Sequence, residues 1–280
     1  MLAKLQTVLR RAQRGHYAVG AFNVSNLEQL QAVIAAAEKL RSPVIVNTSE
    51  KALAYSSPAM LAAMTMTLGK KSRVPIVLNF DHGHSLAEAK ECLRAGWTGI
   101  MFDGSKLPYP KNVAQTAKVK AAARPFSVGV EGEIGQVKYK EDLAISAKPV
   151  LATPEQAVDF TRRTKVDALA VGIGNSHGLP LPGERLHFDL LKRIAQAVNV
   201  PLVLHGASGT SPASIRRAIS LGICKINIDT DLRLAFTKSV RATLRDKTVF
   251  DPRAYLAPAR DAVMTTVIKK IILFGSKGQA

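Results

Sequence analysis

Three histidines, His82, His177 and His205, each follow a short apolar run, and carboxylates stand at the ends of neighbouring runs. Neutral imidazole is a common zinc ligand, and three protein ligands leave a fourth position open for water or substrate. One histidine after a strand is more often a hydrogen-bonded loop residue; three in equivalent places point to a metal. His16, His84 and His187 lack that setting and read as non-ligands. His16 precedes the first strand, His84 lies just past a candidate ligand, and His187 precedes a helix. Further polar groups close the other apolar runs: Asn23, Thr48-Ser49, Asp81, Asp103-Gly104-Ser105, Glu131-Gly132-Glu133 and Asn227-Ile228-Asp229-Thr230. The segment from His205 through Gly206 and Ser208 to Gly209 supplies small residues whose backbone amides can approach a phosphate.

The elements that must carry these groups are short strands alternating with helical patterns. Strands are predicted at Ala18–Asn23, Val44–Asn47, Ile76–Phe80, Thr98–Phe102, Ser127–Glu131, Ala168–Val171, Leu202–Leu204 and Lys225–Ile228. Apolar residues at helical spacing fill the intervals, as in Leu27–Lys39, Leu86–Ala95, Pro154–Thr164 and Pro212–Leu221. Thr153 and Ser211 precede Pro154 and Pro212 as candidate N-caps. Alternation of this kind implies a parallel sheet covered by helices. Eight units close into an α/β fold of the (β/α)8 TIM-barrel type, a single domain over residues 1–280. A helix from about Asp231 and an extra C-terminal helix from about Pro252 to Leu273 follow. An open doubly wound sheet is the rival, but no G-x-G-x-x-G loop follows the first strand. In a barrel the C-terminal ends of the strands carry the active site, with phosphate often held after strands seven and eight. The polar run ends therefore fall on one rim. A Schiff-base mechanism would need a lysine inside the barrel facing that rim. The sixth strand has none, and Lys225 is placed at the opening of the eighth, at the other end.

Of the 280 residues, 47% are apolar, enough for a large core. No stretch approaches the roughly 18–20 consecutive apolar residues of a membrane span, so no membrane association is expected. The charged start lacks the apolar centre of a signal peptide, which predicts a cytoplasmic protein. Cys92 and Cys224 are distant and read as packing residues. The net charge of +18 raises the alternative of a basic nucleic-acid-binding barrel with a vestigial site. The basic residues are scattered, however, without an aromatic-interleaved motif, and a nucleic-acid partner is not expected.

Nearly the whole chain resembles the class II fructose-bisphosphate and tagatose-bisphosphate aldolases. The resemblance is carried by Ala21-Phe22-Asn23, Phe80-Asp81-His82-Gly83, Met101-Phe102-Asp103-Gly104-Ser105, Val130-Glu131-Gly132-Glu133-Ile134-Gly135, Ser176-His177-Gly178, Leu204-His205-Gly206-Ala207-Ser208-Gly209, Lys225-Ile226-Asn227-Ile228-Asp229-Thr230-Asp231-Leu232-Arg233 and Phe250-Asp251-Pro252-Arg253. It implies that His82, His177 and His205 hold a catalytic Zn2+, with Asp103 and Glu133 near an alternative metal position. Asp81 would be the acid/base at the C4 hydroxyl. Glu141, on a mobile loop, would remove the carbon-bound proton of dihydroxyacetone phosphate. Asn23, Ser49, Gly178, Gly206, Ser208, Asn227, Asp229 and Thr230 would line the substrate and its phosphates. Arg253 would reach a phosphate from a neighbouring subunit. A homo-oligomer, dimer or tetramer, is expected, with a monovalent cation near the phosphate as a further candidate cofactor.

The implied reaction is reversible cleavage of fructose 1,6-bisphosphate to dihydroxyacetone phosphate and glyceraldehyde 3-phosphate, with the tagatose epimer as the alternative substrate. Three stretches depart from the family pattern. Gln136-Val137-Lys138-Tyr139-Lys140 lacks the glycine pair usual before the loop acids, Leu179-Pro180-Leu181-Pro182 replaces a tyrosine and a lysine, and Ala207 replaces a frequent glycine.

Overall fold

Eight parallel strands close into a barrel in sequence order, β1 pairing with both β2 and β8. They are β1 (Val19–Asn23), β2 (Val44–Ser49), β3 (Ile76–Gly83), β4 (Gly99–Phe102), β5 (Gly129–Ile134), β6 (Ala168–Val171), β7 (Leu202–Leu204) and β8 (Ile223–Ile228). This computed structural model describes residues 1–137, 150–179 and 185–280. Glu141 and the rest of 138–149 lie outside them, as do 180–184.

The helices are α1 (Leu5–Gly15), α2 (Leu27–Leu40), α3 (Glu50–Ser56), α4 (Pro58–Lys71), α5 (Leu86–Ala95), α6 (Tyr109–Ala123), α7 (Pro154–Thr164), α8 (Phe188–Ala197), α9 (Pro212–Ser220), α10 (Thr230–Thr243) and α11 (Pro252–Phe274). Their starts follow local chemistry. Asn26, Ser49, Ser57, Ser85 and Ser211 each accept a hydrogen bond from a backbone amide in the first turn of their helix. Thr153 forms a reciprocal capping box with Gln156. The expected extra helix is α11, which packs against α2 and α10. It starts at the Asp251 cap and stops where Gly275 turns left-handed, at φ 75°.

Period-two alternation along the strands separates two environments. Outward residues such as Phe22, Val46, Leu78, Ile100, Val130 and Ile226 meet the helices in the main core. Inward residues form a second, smaller cluster: Val19, Ala21, Ile45, Val77, Met101, Ala168, Ala170 and Val203 pack on Leu5, Val8, Leu9 and Ala12 of α1. Helix α1 therefore closes the barrel at the N-terminal ends of the strands. Its apolar residues have helical spacing, but the basic residues among them hid a helix that the sequence reading did not include.

Two strands depart from the expected bounds in ways that matter chemically. β3 continues to Gly83 and β5 to Ile134, so Asp81, His82 and Glu133 also lie within strands. The β3–β4 register also breaks between Phe80 and Gly83. His82 there has φ 52°, a left-handed conformation unusual for a residue with a Cβ.

Candidate active site

In a regular strand, Asp81 and His82 would point to opposite faces. The irregularity in β3 re-aims His82, so that both adjacent side chains face into the mouth of the barrel. Asp81 receives amide hydrogen bonds from Asn23 and Asn227, each at 2.9 Å. Asn23 belongs to an asparagine ladder across three strands: Asn79 donates to Asn47 at 3.0 Å, and Asn47 to Asn23 at 3.4 Å. Asn47 and Asn79 were not among the expected site residues. Their two-residue offset from Ser49 and Asp81 was the available signal, because it places them on the same inward face, one layer down.

His82, His177 and His205 converge as expected, with ring centroids 4.7 to 6.1 Å apart. A carboxylate fixes one nitrogen of each of two rings. His82 Nδ1 lies 2.8 Å from Asp103 Oδ2, and His205 Nε2 lies 2.8 Å from Glu131 Oε1. Each N–H is thereby committed, and the remaining nitrogens, His82 Nε2 and His205 Nδ1, face one another at 2.9 Å. Two bare lone pairs at that distance repel unless a cation, a proton or a metal, lies between them. His177 offers a third nitrogen to the same point, and His82, Asp103 and Glu133 form an overlapping second group of possible ligands.

The electrostatics agree with a single positive charge at that point. Burial disfavours a charged His82, but Asp81, Asp103 and Glu133 outweigh it and raise the ring to about 10. Burial, together with the charge on His82, keeps His177 and His205 below the usual imidazole range. Asp103 stays ionised despite burial because His82 and Ser105 hydrogen-bond its carboxylate. Glu133 behaves in the opposite way: burial and the nearby Asp103 push it well above the carboxylate range. Its Oε2 is buried without a hydrogen-bond partner among the described residues, 3.9 Å from His205 Nδ1. Three imidazoles and two carboxyls, one of them with an unpartnered buried oxygen, make a donor set that fits a zinc ion with an open coordination position.

Lys225 requires a correction. Its side chain is not confined to the other end of the barrel. It runs inside, fully buried, and donates to Glu131 Oε2 at 2.7 Å. The β7–β8 register shifts beside it, Leu202 pairing with Ile223 but Val203 with Lys225. Its two-residue offset from Asn227 was the signal that placed it on the inward face. The case against a Schiff base now rests on this bond: the amine is tied to Glu131 beneath His205. Burial would raise Glu131, but the charge of Lys225 and the His205 hydrogen bond hold it at about 2.

The remaining expected residues surround this centre. A cavity of about 320 Å³ is lined by Asn23, Ser49, Asp229 and Arg233, among others. Ser49 also caps α3, and Asp229 pairs with Arg233 at 2.6 Å. Thr230 begins α10, while Ser208 accepts from the Asp231 amide at 3.3 Å. Gly206 has φ 60°, and a Cβ there would sit 2.0 Å from the Ser176 carbonyl oxygen. Only glycine lets the β7 loop pass that close to the segment carrying His177. Gly178, with φ 99°, follows His177 directly. Asn227 Oδ1 is buried and without a hydrogen-bond partner among the described residues. Arg253 stands apart: it is 91% exposed and paired with Asp251 at 2.7 Å. His84 bonds Glu50 at 2.9 Å and joins neither ligand group.

Comparison with known proteins follows this geometry. Residues 3–279 match the family model described as fructose-bisphosphate aldolase class-II. The chain is 44% identical to the fructose-bisphosphate aldolase of Thermus caldophilus, all of both chains being covered. It is 41% identical to that of Geobacillus stearothermophilus, covering all of this chain and 99% of the other. Among solved structures, the YdjI aldolase of Escherichia coli K12 superposes with a TM-score of 0.88 at 36% identity, with both chains fully covered.

Proposed function

Because the chain belongs to the class-II fructose-bisphosphate aldolase family, we propose that it cleaves fructose 1,6-bisphosphate reversibly into dihydroxyacetone phosphate and glyceraldehyde 3-phosphate, with Zn2+ held by His82, His177 and His205. The observation that carries this reading is the pair of facing imidazole nitrogens at 2.9 Å, both with their other nitrogen committed to a carboxylate. Bound there, zinc supplies a Lewis acid for the ketose carbonyl.

The protein's own groups do the rest. Asp81, kept ionised by His82, Lys225 and the Asn23 amide against the effect of burial, takes the proton of the C4 hydroxyl as the C3–C4 bond breaks. In the condensation direction it returns that proton. The backbone amides at Gly206–Ser208 and the start of α10 hold the ketose phosphate, with Gly178 leaving room for it. Asn227 Oδ1 accepts from a substrate hydroxyl. Asn23 and Ser49 face the aldehyde half through the adjoining cavity. Asp103 and Glu133 offer the alternative metal position. Glu141, which lies outside the described residues, is assigned the carbon-bound proton by the family pattern alone. Arg253 is exposed on its own chain, which suits delivery to a neighbouring subunit in a homo-oligomer.

The test is turnover of fructose and tagatose bisphosphates by protein loaded with zinc and then stripped by a chelator. Zinc-dependent cleavage with preference for the fructose epimer is expected. A strong preference for the tagatose epimer would replace the substrate. Absent turnover with zinc, together with tight salt-sensitive RNA binding, would replace the enzyme reading altogether.

A further inference from the structure

We propose that Lys225 and Glu131 form a positioning pair beneath the metal site, fixing the orientation and tautomer of His205. The proposal rests on the reading of His205 as a metal ligand. Glu131 has both oxygens committed: Oε2 accepts from Lys225 Nζ at 2.7 Å, and Oε1 accepts from His205 Nε2 at 2.8 Å. All three side chains are fully buried. A carboxylate bonded at one oxygen only can turn about its terminal bond. With Lys225 on the other oxygen, the plane of the group is set and Oε1 stays aimed at the ring. The hydrogen then resides on His205 Nε2, and Nδ1 is left bare towards His82 and His177. The side-chain bond of Lys225 Nζ runs to Glu131 Oε2, so Lys225 acts on His205 through that carboxylate.

An ion pair serving only as core filling would make a different prediction. Buried pairs contribute little net stability relative to well-packed apolar groups, so a neutral replacement of the same shape would leave the histidine unaffected. A carboxylate that orients a ligating imidazole, by contrast, is typically worth about 10–100-fold in metal affinity.

The experiment reads 15N shifts of labelled histidines in metal-free protein and zinc affinity by chelator competition, alongside circular dichroism and Tm. In the unaltered protein, His205 should show a protonated Nε2 and a bare Nδ1. Lys225→Met should give mixed tautomers at His205 and zinc affinity lower by about 10–100-fold. Should that variant fail to fold, the double variant Glu131→Gln with Lys225→Met keeps the shape without charge, and at least a tenfold loss of zinc affinity is expected there too. A folded variant of either kind with unaltered tautomer and zinc affinity within about twofold of the starting protein overturns the proposal. His205→Ala separates the two readings. Undiminished zinc affinity in that variant would remove His205 as a ligand, while the tautomer measurement would still decide whether Lys225 and Glu131 position the ring.

Discussion

With zinc bound as proposed, a proton and the metal ion compete for one lone pair at His82. The ring is held at about 10 against an ordinary value of 6.5, so in the metal-free protein it is charged at neutral pH. A raised value stabilises the fold fully below the ordinary value, and that contribution is lost as pH rises through about 10. Zinc must displace the proton throughout that window. Its affinity should therefore rise about tenfold per pH unit between pH 7 and 9 from this ring alone. Calorimetry in buffers of different ionisation enthalpy should find about one proton released per zinc at pH 8, where an imidazole of ordinary pKa would release almost none. Release near zero would show that His82 is not charged in the free protein. Asp81, next to it, is held by two amides. Asp81→Ala should keep its zinc but lose about 100-fold or more in kcat, the usual scale for general acid–base catalysis. Loss of zinc from that variant would instead mark Asp81 as support for the metal centre.

Single elements pass close to one another to bring these residues together. The loop after β7 approaches the segment carrying His177 so closely that a Cβ on Gly206 would meet the Ser176 carbonyl oxygen at 2.0 Å. The contact is with backbone, so no side chain can rotate away to relieve it, and φ 60° adds strain for any residue with a Cβ. Gly206→Ala is expected to lower Tm by several degrees, the scale of roughly 1–2 kcal/mol in a protein this large, and to weaken zinc binding by moving His177. A crystal structure or zinc titration showing an undisturbed site would refute the coupling between the two loops. The irregularity in β3 works in the same way: it accepts a left-handed His82, at a cost of about 1–3 kcal/mol, and in return puts Asp81 and His82 side by side.

Across the whole barrel, stability and chemistry occupy opposite ends. Helix α1 fills the floor with Leu5, Leu9 and Ala12, all fully buried, while the imidazoles and carboxyls gather at the C-terminal ends of the strands. Leu9→Ala should cost about 2–5 kcal/mol of stability, as deletions of buried leucine side chains do, yet leave zinc content and turnover per folded molecule unchanged. A kcat that falls in step with stability would mean that floor and rim are coupled.

Much of this was legible in the residues. Eight apolar runs with helical patterns between them imply a parallel sheet buried on both faces, and eight units without a G-x-G-x-x-G loop favour its closure into a barrel over an open doubly wound sheet. Polar groups at the ends of those runs then have one rim to occupy, which is why His82, His177, His205, Asp81 and Asp103 could be named from spacing. The caps at Thr153 and Ser211 were likewise local, since a hydroxyl or carboxylate and a free amide three residues on are enough. What depended on the folded chain was register and direction. Periodicity alone puts His82 on the outer face, and the broken pairing with β4 turns it inward. Lys225 reads as a residue at the far end until its long side chain is followed to Glu131. The role of Glu131 appears only when residues 74 and 94 positions away in sequence reach its two oxygens. Sequence spacing carries the two-residue and 3.6-residue periods; the meeting of distant groups is set by barrel closure, which no local period contains.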